Sequence, residues 1–505
     1  MSIYNFEKER NFECDDIDFI VIGGGIVGSF VSHYINKQSG RKTLVLEAGG
    51  EKPTKGREWF QVEHLETNYR GALDGRFTGL GGTSAYWGGA LIPVSETELL
   101  ADDWPQKYLD IFKYSNQIEN FFKLGINSDY SHNESDLPPG YVKRRINYPK
   151  FKNRNVTRLL HRKLYQDRNF IYVLNARVTR FNFKLGLVKS LIIVSPSGQT
   201  REIPVKRVII AAGALESTRM LLDIYGRNET MFSDKKMLPT RSLVDHVSIP
   251  IAELSEFDFK EMNLLYGLKL NSHGMYKIKY ESDRTESNYS LDIRFSMADK
   301  SPRDLARQIM QSLQKNRMIE INLLFKLLKN FKFFFKALYW RYILKTVLEP
   351  RDSKLIINLI ISQNIHDDNF VELSSIEDRD GIKRLKLHWS VTSSDVSQIF
   401  SATEELRTTW ANSELSKRSN VDFFDKNQIL KSINMTGGTL HPSGVLKIGS
   451  NIQTDDLDLN FKVHGTKNLY CLTSAALPTI TAVNPVMTTL LLGCQLGEHI
   501  VNNDF

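Results

Sequence analysis

Apolar residues gather in short unbroken runs near both ends of the chain and in alternating stretches through its middle. Phe19, Ile20, Val21 and Ile22 form one run, and Leu44, Val45 and Leu46 a second. Val208, Ile209 and Ile210, leading into Ala211, Ala212 and Gly213, form a third. A short apolar run bounded by glycine predicts a parallel strand buried on both faces. A helix over 214–222 follows the third run, and another over 488–501 closes the sequence. Residues 172–183 and 188–194 read as strands, as do 247–297 and 355–389 with polar turns between them. A helical block spans 303–348, and 131–148, with Pro138, Pro139 and Gly140, reads as a surface loop. The pattern predicts an α/β nucleotide domain built from discontinuous segments, with an inserted α+β domain whose sheet is mostly antiparallel. The expected boundaries are 1–96, 166–250 and 431–505 for the nucleotide domain, 97–165 for a linking segment and 251–430 for the insert.

Between the first two runs lies the spacing G-x-G-x-x-G, with Gly23, Gly25 and Gly28, and Glu47 ends the second run. Gly23 permits a tight turn, Gly25 lets a pyrophosphate approach the backbone, and Gly28 lets the helix pack close to the strand. The helix N-terminus through Ile26 and Val27 offers N–H groups and a positive dipole end to phosphates. Glu47, next to Ala48, can accept ribose hydroxyls. A second glycine-rich block runs from Gly79 through Gly81, Gly82, Thr83, Ser84, Tyr86 and Trp87 to Gly88 and Gly89. Its backbone can come close to a flat ligand.

The 505 residues suffice for two or three domains, with 41% hydrophobic and 25% charged residues, as in an ordinary globular enzyme. Net charge is +8, not gathered into a nucleic-acid motif, so no nucleic-acid partner is expected. Cys14, Cys471 and Cys494 form neither a disulfide framework nor a zinc site, which points to a reducing compartment and a cytoplasmic protein with no metal. Residues 1–18 are charged and lack an apolar centre, so no signal peptide is expected.

The C-terminal part carries the densest chemistry. Gly437, Gly438 and Thr439 precede His441, Pro442, Ser443 and Gly444, and Asn468, Leu469 and Tyr470 precede Thr473, Ser474 and Ala475. Asn484, Pro485, Val486 and Met487 then open the last helix, with proline at a position where its missing N–H costs nothing.

These blocks, in this order, resemble the glucose–methanol–choline (GMC) oxidoreductases, flavoproteins that carry FAD. Residues 23–47 resemble the family's FAD fingerprint, and Arg76 to Gly89 its second flavin-contacting block. Residues 208–222 resemble its strand-to-helix signature, and Asp245 and His246 a D-H element at the hinge, read as structural. His441 to Gly449 resembles H-x-x-G-T-x-R-M-G, and 468–488 resembles N-L-Y-V…P…N-P-x-x-T. The resemblance implies an FAD-dependent oxidoreductase acting on a CH–OH group of a sugar, glycoside or other polyol. It implies His441 as the base and Asn484 as its partner. It implies flavin contacts at the fingerprint, at Arg76, Gly81, Gly82, Thr83, Ser84, Trp87, Gly88, Gly89, Val178, Ala212, Gly213, Ser474, Ala475 and 484–487. Tyr86 stands where some members carry a histidine linked to the flavin, so noncovalent FAD is expected. Oxygen, a quinone or a redox protein would accept the electrons. The chain departs from the family at Val445, Leu446, Lys447 and Ile448, and carries Thr473 or Ser474 where an acid is common. Similar scaffolds also host lyases, decarboxylases and nonenzymatic binders. His441 and Asn484 argue against a mere binder.

Residues 321–338 pose a separate question. On a helix Leu324, Leu327, Leu328, Phe331, Phe334, Phe335 and Leu338 share one side, and Lys326, Lys329, Lys332 and Lys336 the other. Lys315, Arg317, Arg341 and Lys345 flank them, opposed by Glu320, with Phe325 and Phe333 on the lysine side. Two readings stand: a helix packed on its own domain, or a basic amphipathic helix lying on an anionic membrane surface.

Overall fold

The computed structural model describes residues 3–503 apart from 10–11, 13, 15, 56–59, 65–68, 102–103, 125–130, 133–135, 234–239, 283–288, 297–300, 315–321, 323–324 and 326–327. Lys315, Arg317, Glu320, Leu324, Lys326 and Leu327 of the basic block therefore lie outside the described residues.

The apolar runs form the centre of a six-stranded parallel sheet. Its order is Ile3–Asn5, Phe170–Leu174, Thr43–Leu46, Phe19–Ile22, Arg207–Ile210 and Leu469–Cys471. Phe19–Ile22, Thr43–Leu46 and Phe170–Leu174 are buried at every position, which is why they read as unbroken apolar runs rather than alternations. Successive strands leave Phe19–Ile22 in opposite directions, so a crevice opens at its carboxyl end, where ligands bind in such sheets. Helix Ile26–Ser39 starts there and stops at Gly40, whose φ of 66° is left-handed. It packs on the last helix, Pro485–Asn502, where Gly493 and Gly497 leave room for Val31 and Tyr34.

The second sheet is antiparallel and holds the strands Asn420–Phe423, His246–Ser255, Leu355–Ser362, Tyr289–Phe295, Gly274–Ser282, Tyr141–Pro149 and Ser131–His132, with Lys269–Leu270 paired to Gly274–Ser282. This corrects the loop reading of 131–148. Tyr141–Pro149 pairs along its whole length with Gly274–Ser282. Its Arg144 is buried against Glu281 at 2.9 Å, so a charged residue that signals solvent in the sequence faces an ion-pair partner. The helical block 303–348 resolves into Pro302–Gln314 and Phe331–Tyr342, after which the chain turns back to lie beside residues 268–270.

Gly28 shows how tight the first turn is. A Cβ there would sit 1.9 Å from the Gly23 carbonyl oxygen, a backbone atom that cannot swing aside. Gly28→Ala is expected to cost about 2 kcal/mol or more through overpacking. A wild-type denaturation midpoint in this variant would contradict the close packing of helix on strand.

Candidate active site

The carboxyl ends of the parallel strands face one cleft with a cavity volume of about 240 Å³. Gly23, Gly25, Ile26 and Val27 line it from the first turn, and Glu47 and Ala48 from the end of the second strand. Gly82 and Thr83 come from the second glycine block, Val178 from the strand Arg177–Lys184, and Ala212 and Gly213 from the third run. His441, Ser474, Pro485 and Val486 close it from the C-terminal part.

Three helices start at the cleft without side-chain caps, one of them Ala214–Arg227 after Gly213. Gly25 precedes Ile26–Ser39 and Asn484 precedes Pro485–Asn502, and neither helix has a side-chain hydrogen bond at its cap. A Cβ on Gly25 would meet nothing within 4 Å, so the backbone there is open to a close-lying group. Uncapped N–H groups at a helix start favour anions. The long cleft, the open glycine and the uncapped helix starts fit the flavin dinucleotide that the resemblance implies.

Glu47 has a further task that spacing alone does not reveal. Its Oε2 accepts from the N–H of Gly24 at 2.8 Å, and its Oε1 from the N–H groups of Gly49 and Gly79, each at 2.8 Å. One carboxylate thus joins the first glycine turn to the start of the second glycine block.

Other residues expected at the site stand back from the cleft and shape it. Gly28 packs on Gly23. Arg76 is half-buried, with its guanidinium on the carbonyls of Ala72 at 2.8 Å and Phe60 at 3.3 Å and 3.8 Å from Glu216. Burial lowers its pKa to about 10, against the pull of Glu216. The hydroxyl of Ser84 donates to Gly81 at 2.6 Å and accepts from the N–H of Val156 at 3.2 Å. Trp87 donates to the Arg154 carbonyl at 2.8 Å. Gly88, Gly89, Ala475, Asn484 and Met487 are likewise not among the lining residues. Thr473 and Ser474, where an acid is common in the family, do line it, and Ser474 donates to the Pro442 carbonyl at 2.8 Å.

The structure brings His441 against His246, which the sequence reading had treated as structural. Val244 and Ser443 exchange backbone hydrogen bonds of 3.1 and 3.0 Å as an isolated antiparallel bridge. Two residues further along each segment, His246 and His441 therefore face each other on the same side. Their Nδ1 atoms are 3.1 Å apart. His246 Nε2 lies 2.7 Å from the Thr481 carbonyl oxygen, which can only accept, so Nε2 carries the proton and Nδ1 is an acceptor. Thr439 spends its hydroxyl proton on Asp245 at 2.9 Å and faces His441 Nδ1 with a lone pair at 3.0 Å. His441 Nδ1 thus meets two acceptors and must carry the proton. The lone pair of the imidazole is on Nε2, the nitrogen left for the cleft. Burial holds both imidazoles below their ordinary pKa; Lys279 adds to this in both, while Asp245 opposes it at His441.

Asp245 organises this group. Its carboxylate accepts from Tyr69 Oη at 2.7 Å, His246 N at 2.7 Å, Thr439 Oγ1 at 2.9 Å, His441 N at 3.0 Å and Thr439 N at 3.2 Å. Asp245, His246 and His441 lie close enough to suggest a metal site, but these oxygens are filled by N–H and O–H donors and His246 Nε2 is bound to a carbonyl. The chemistry of the set is that of a hydrogen-bond hub. Lys279, buried on Gly274–Ser282, donates to the Ala482 carbonyl, while Glu98 accepts from Ala482 N at 2.6 Å. These two hold the loop that carries Thr481 and leads to Asn484.

The family model GMC oxidoreductase, of the C-terminal domain, matches residues 366–493. No curated protein sequence matches the chain. Among solved structures, pyridoxine 4-oxidase from Mesorbium loti has a TM-score of 0.59 at 14% identity, covering 97% of this chain and 100% of that one. A formate oxidase has a TM-score of 0.57 at 15% identity, covering 97% and 99%. A fungal aryl-alcohol oxidase has 0.55 at 13% identity, covering 97% and 99%. The likeness to these structures shows the fold over the full length. Residues 366–493, which hold His441 and the start of the last helix, match the GMC oxidoreductase C-terminal domain.

Removing the hub is expected to be costly. Asp245→Ala leaves buried donors without an acceptor and should destabilise the protein by roughly 3–5 kcal/mol. Denaturant unfolding reads this directly, and a loss under about 1 kcal/mol would contradict the hub.

Proposed function

We propose that the chain is an FAD-dependent oxidoreductase that oxidises a CH–OH donor, with His441 as the base. The observation that carries this reading is that His441 lines the cleft while its Nδ1 lies against His246 and Thr439, which leaves Nε2 to carry the lone pair. FAD, when bound, supplies the hydride acceptor. The first glycine turn and the second glycine block would hold it without a covalent link, since Tyr86 stands where the resemblance puts a linking histidine and donates to the Pro53 carbonyl at 3.1 Å.

His441 Nε2 takes the hydroxyl proton of the donor. The imidazolium so formed keeps its Nδ1–H on His246 and Thr439, so proton uptake needs no rearrangement of the ring. His246, buried and neutral, is a positioning residue: it fixes which nitrogen of His441 is basic. The resemblance assigns the alignment of the hydroxyl to Asn484, which directly precedes the lining residues Pro485 and Val486. The first-turn N–H groups at Val486 and Met487 stabilise an anionic centre in front of the last helix. The donor is a small alcohol, sugar or other polyol. The names of the structural neighbours, which oxidise pyridoxine and aryl alcohols, support including aromatic primary alcohols beside sugars in the search. The three cysteines, all buried and unpaired, support a reducing compartment.

His441→Ala is expected to slow anaerobic flavin reduction by about 10²–10⁴-fold while FAD stays bound. Intact FAD should be recovered in the supernatant after acid precipitation of either protein. Reduction of the variant at the wild-type rate would contradict the role of His441, and a donor consumed without flavin bleaching would favour a lyase.

The pH dependence follows from the lowered pKa of His441. The base form prevails above 6.5, its ordinary value, so the reduction rate is level there and falls as acid titrates the ring through its lowered pKa. His246→Leu removes an acceptor that stabilises the protonated ring. It should slow reduction roughly ten- to a hundredfold and move the acid limb to lower pH. A limb that stays in place would assign His246 a merely structural part.

A further inference from the structure

The helix Phe331–Tyr342 carries its apolar stripe on the outside. Phe331, Phe335, Leu338 and Tyr342 recur at the spacing of one helix face, and Leu328 and Tyr339 widen the stripe. All are exposed, Phe335 to 76% and Leu328 to 67%. The opposite side holds Trp340, which is buried. The turn after the helix is fastened below it: Thr346 N donates to the Trp340 carbonyl at 3.1 Å, and Val347 N to the Leu268 carbonyl at 2.8 Å. The packed-helix reading requires the stripe to face inward, and it does not.

Charge selects what covers this face. Residues 321–348 contain no aspartate or glutamate. Lys329, Lys332 and Lys336 lie along one flank of the stripe, and Arg341 on the other, all exposed. Glu349, the next acid in the sequence, is buried and paired with Arg303. A second copy would bring the same cations against these and be repelled. A row of aromatic and aliphatic side chains flanked by cations matches the boundary between acyl chains and anionic headgroups. No helix of the described residues is long and apolar enough to cross a membrane.

We propose that Phe331–Tyr342 docks the protein on an anionic lipid bilayer. The stripe enters the headgroup region, and the lysines and Arg341 meet the lipid phosphates. This docking is independent of the reaction proposed above, and its test reads binding rather than turnover.

The test is co-sedimentation of the purified full-length protein with phosphatidylcholine vesicles, with and without phosphatidylglycerol. Binding is expected to the phosphatidylglycerol vesicles and to weaken steeply with added salt. Replacing Lys329, Lys332 and Lys336 together by Gln should weaken partitioning on the order of a hundredfold. Phe331→Ser with Phe335→Ser should weaken it by about tenfold or more, with a melting temperature near wild type because both side chains are already exposed. Absence of wild-type binding, or equal binding to both vesicle types, overturns the proposal. A large drop in melting temperature for the Phe variant also overturns it, since the face would then be packed. So does a concentration-dependent dimer that the Phe variant abolishes, since the stripe would then be covered by a second copy.

Discussion

The candidate site depends on one buried carboxylate. Asp245 lies at the start of the long strand His246–Ser255 of the antiparallel sheet, yet most of its partners belong to other parts of the chain. Tyr69 reaches it from the region before the second glycine block, and Thr439 and His441 from the C-terminal part. Burial and the neighbouring carboxylate raise the Tyr69 pKa well above its ordinary value, so the phenol remains a donor. A charge with no water around it is tolerable only when several donors face it. That requirement draws three distant segments together and sets His441 opposite His246.

Glu47 solves a similar problem at the other side of the cleft. Backbone N–H groups of Gly24 and Gly79, one from each glycine-rich loop, and of Gly49 converge on it, so the loops keep their shape without side chains of their own to pack. The two carboxylates act in complementary ways: Glu47 shapes the part of the cleft that would hold the cofactor, and Asp245 the part that would do the proton chemistry. Between them the uncapped helix starts at Gly25 and Asn484 supply positive ends.

The sequence disclosed what local chemistry dictates. The strand–turn–helix at Phe19–Ile22 and the apolar run at Arg207–Ile210 were legible because a strand buried on both faces cannot hide its composition. His441 stood out through its motif. His246 did not, because its importance comes from the Val244–Ser443 bridge, which joins residues far apart in sequence. The Asp-His pair just before a strand was the available signal, though nothing local distinguishes it from a structural pair. The strand Tyr141–Pro149 was misread because its charged residues find ion-pair partners inside the antiparallel sheet, a fact written in Gly274–Ser282 rather than in the strand itself. The basic helix showed its two-sided character in sequence, but which side faced outward depended on where Trp340 was anchored.

The proton of neutral His441 belongs to Nδ1, and Nε2 is bare. Neutron diffraction from deuterated holoenzyme crystals at pH 7 tests it most directly. Deuterium on His441 Nδ1 and His246 Nε2, with none on His441 Nε2, is the predicted result. Deuterium on His441 Nε2 would contradict it, because the imidazole would then have no lone pair to offer the cleft.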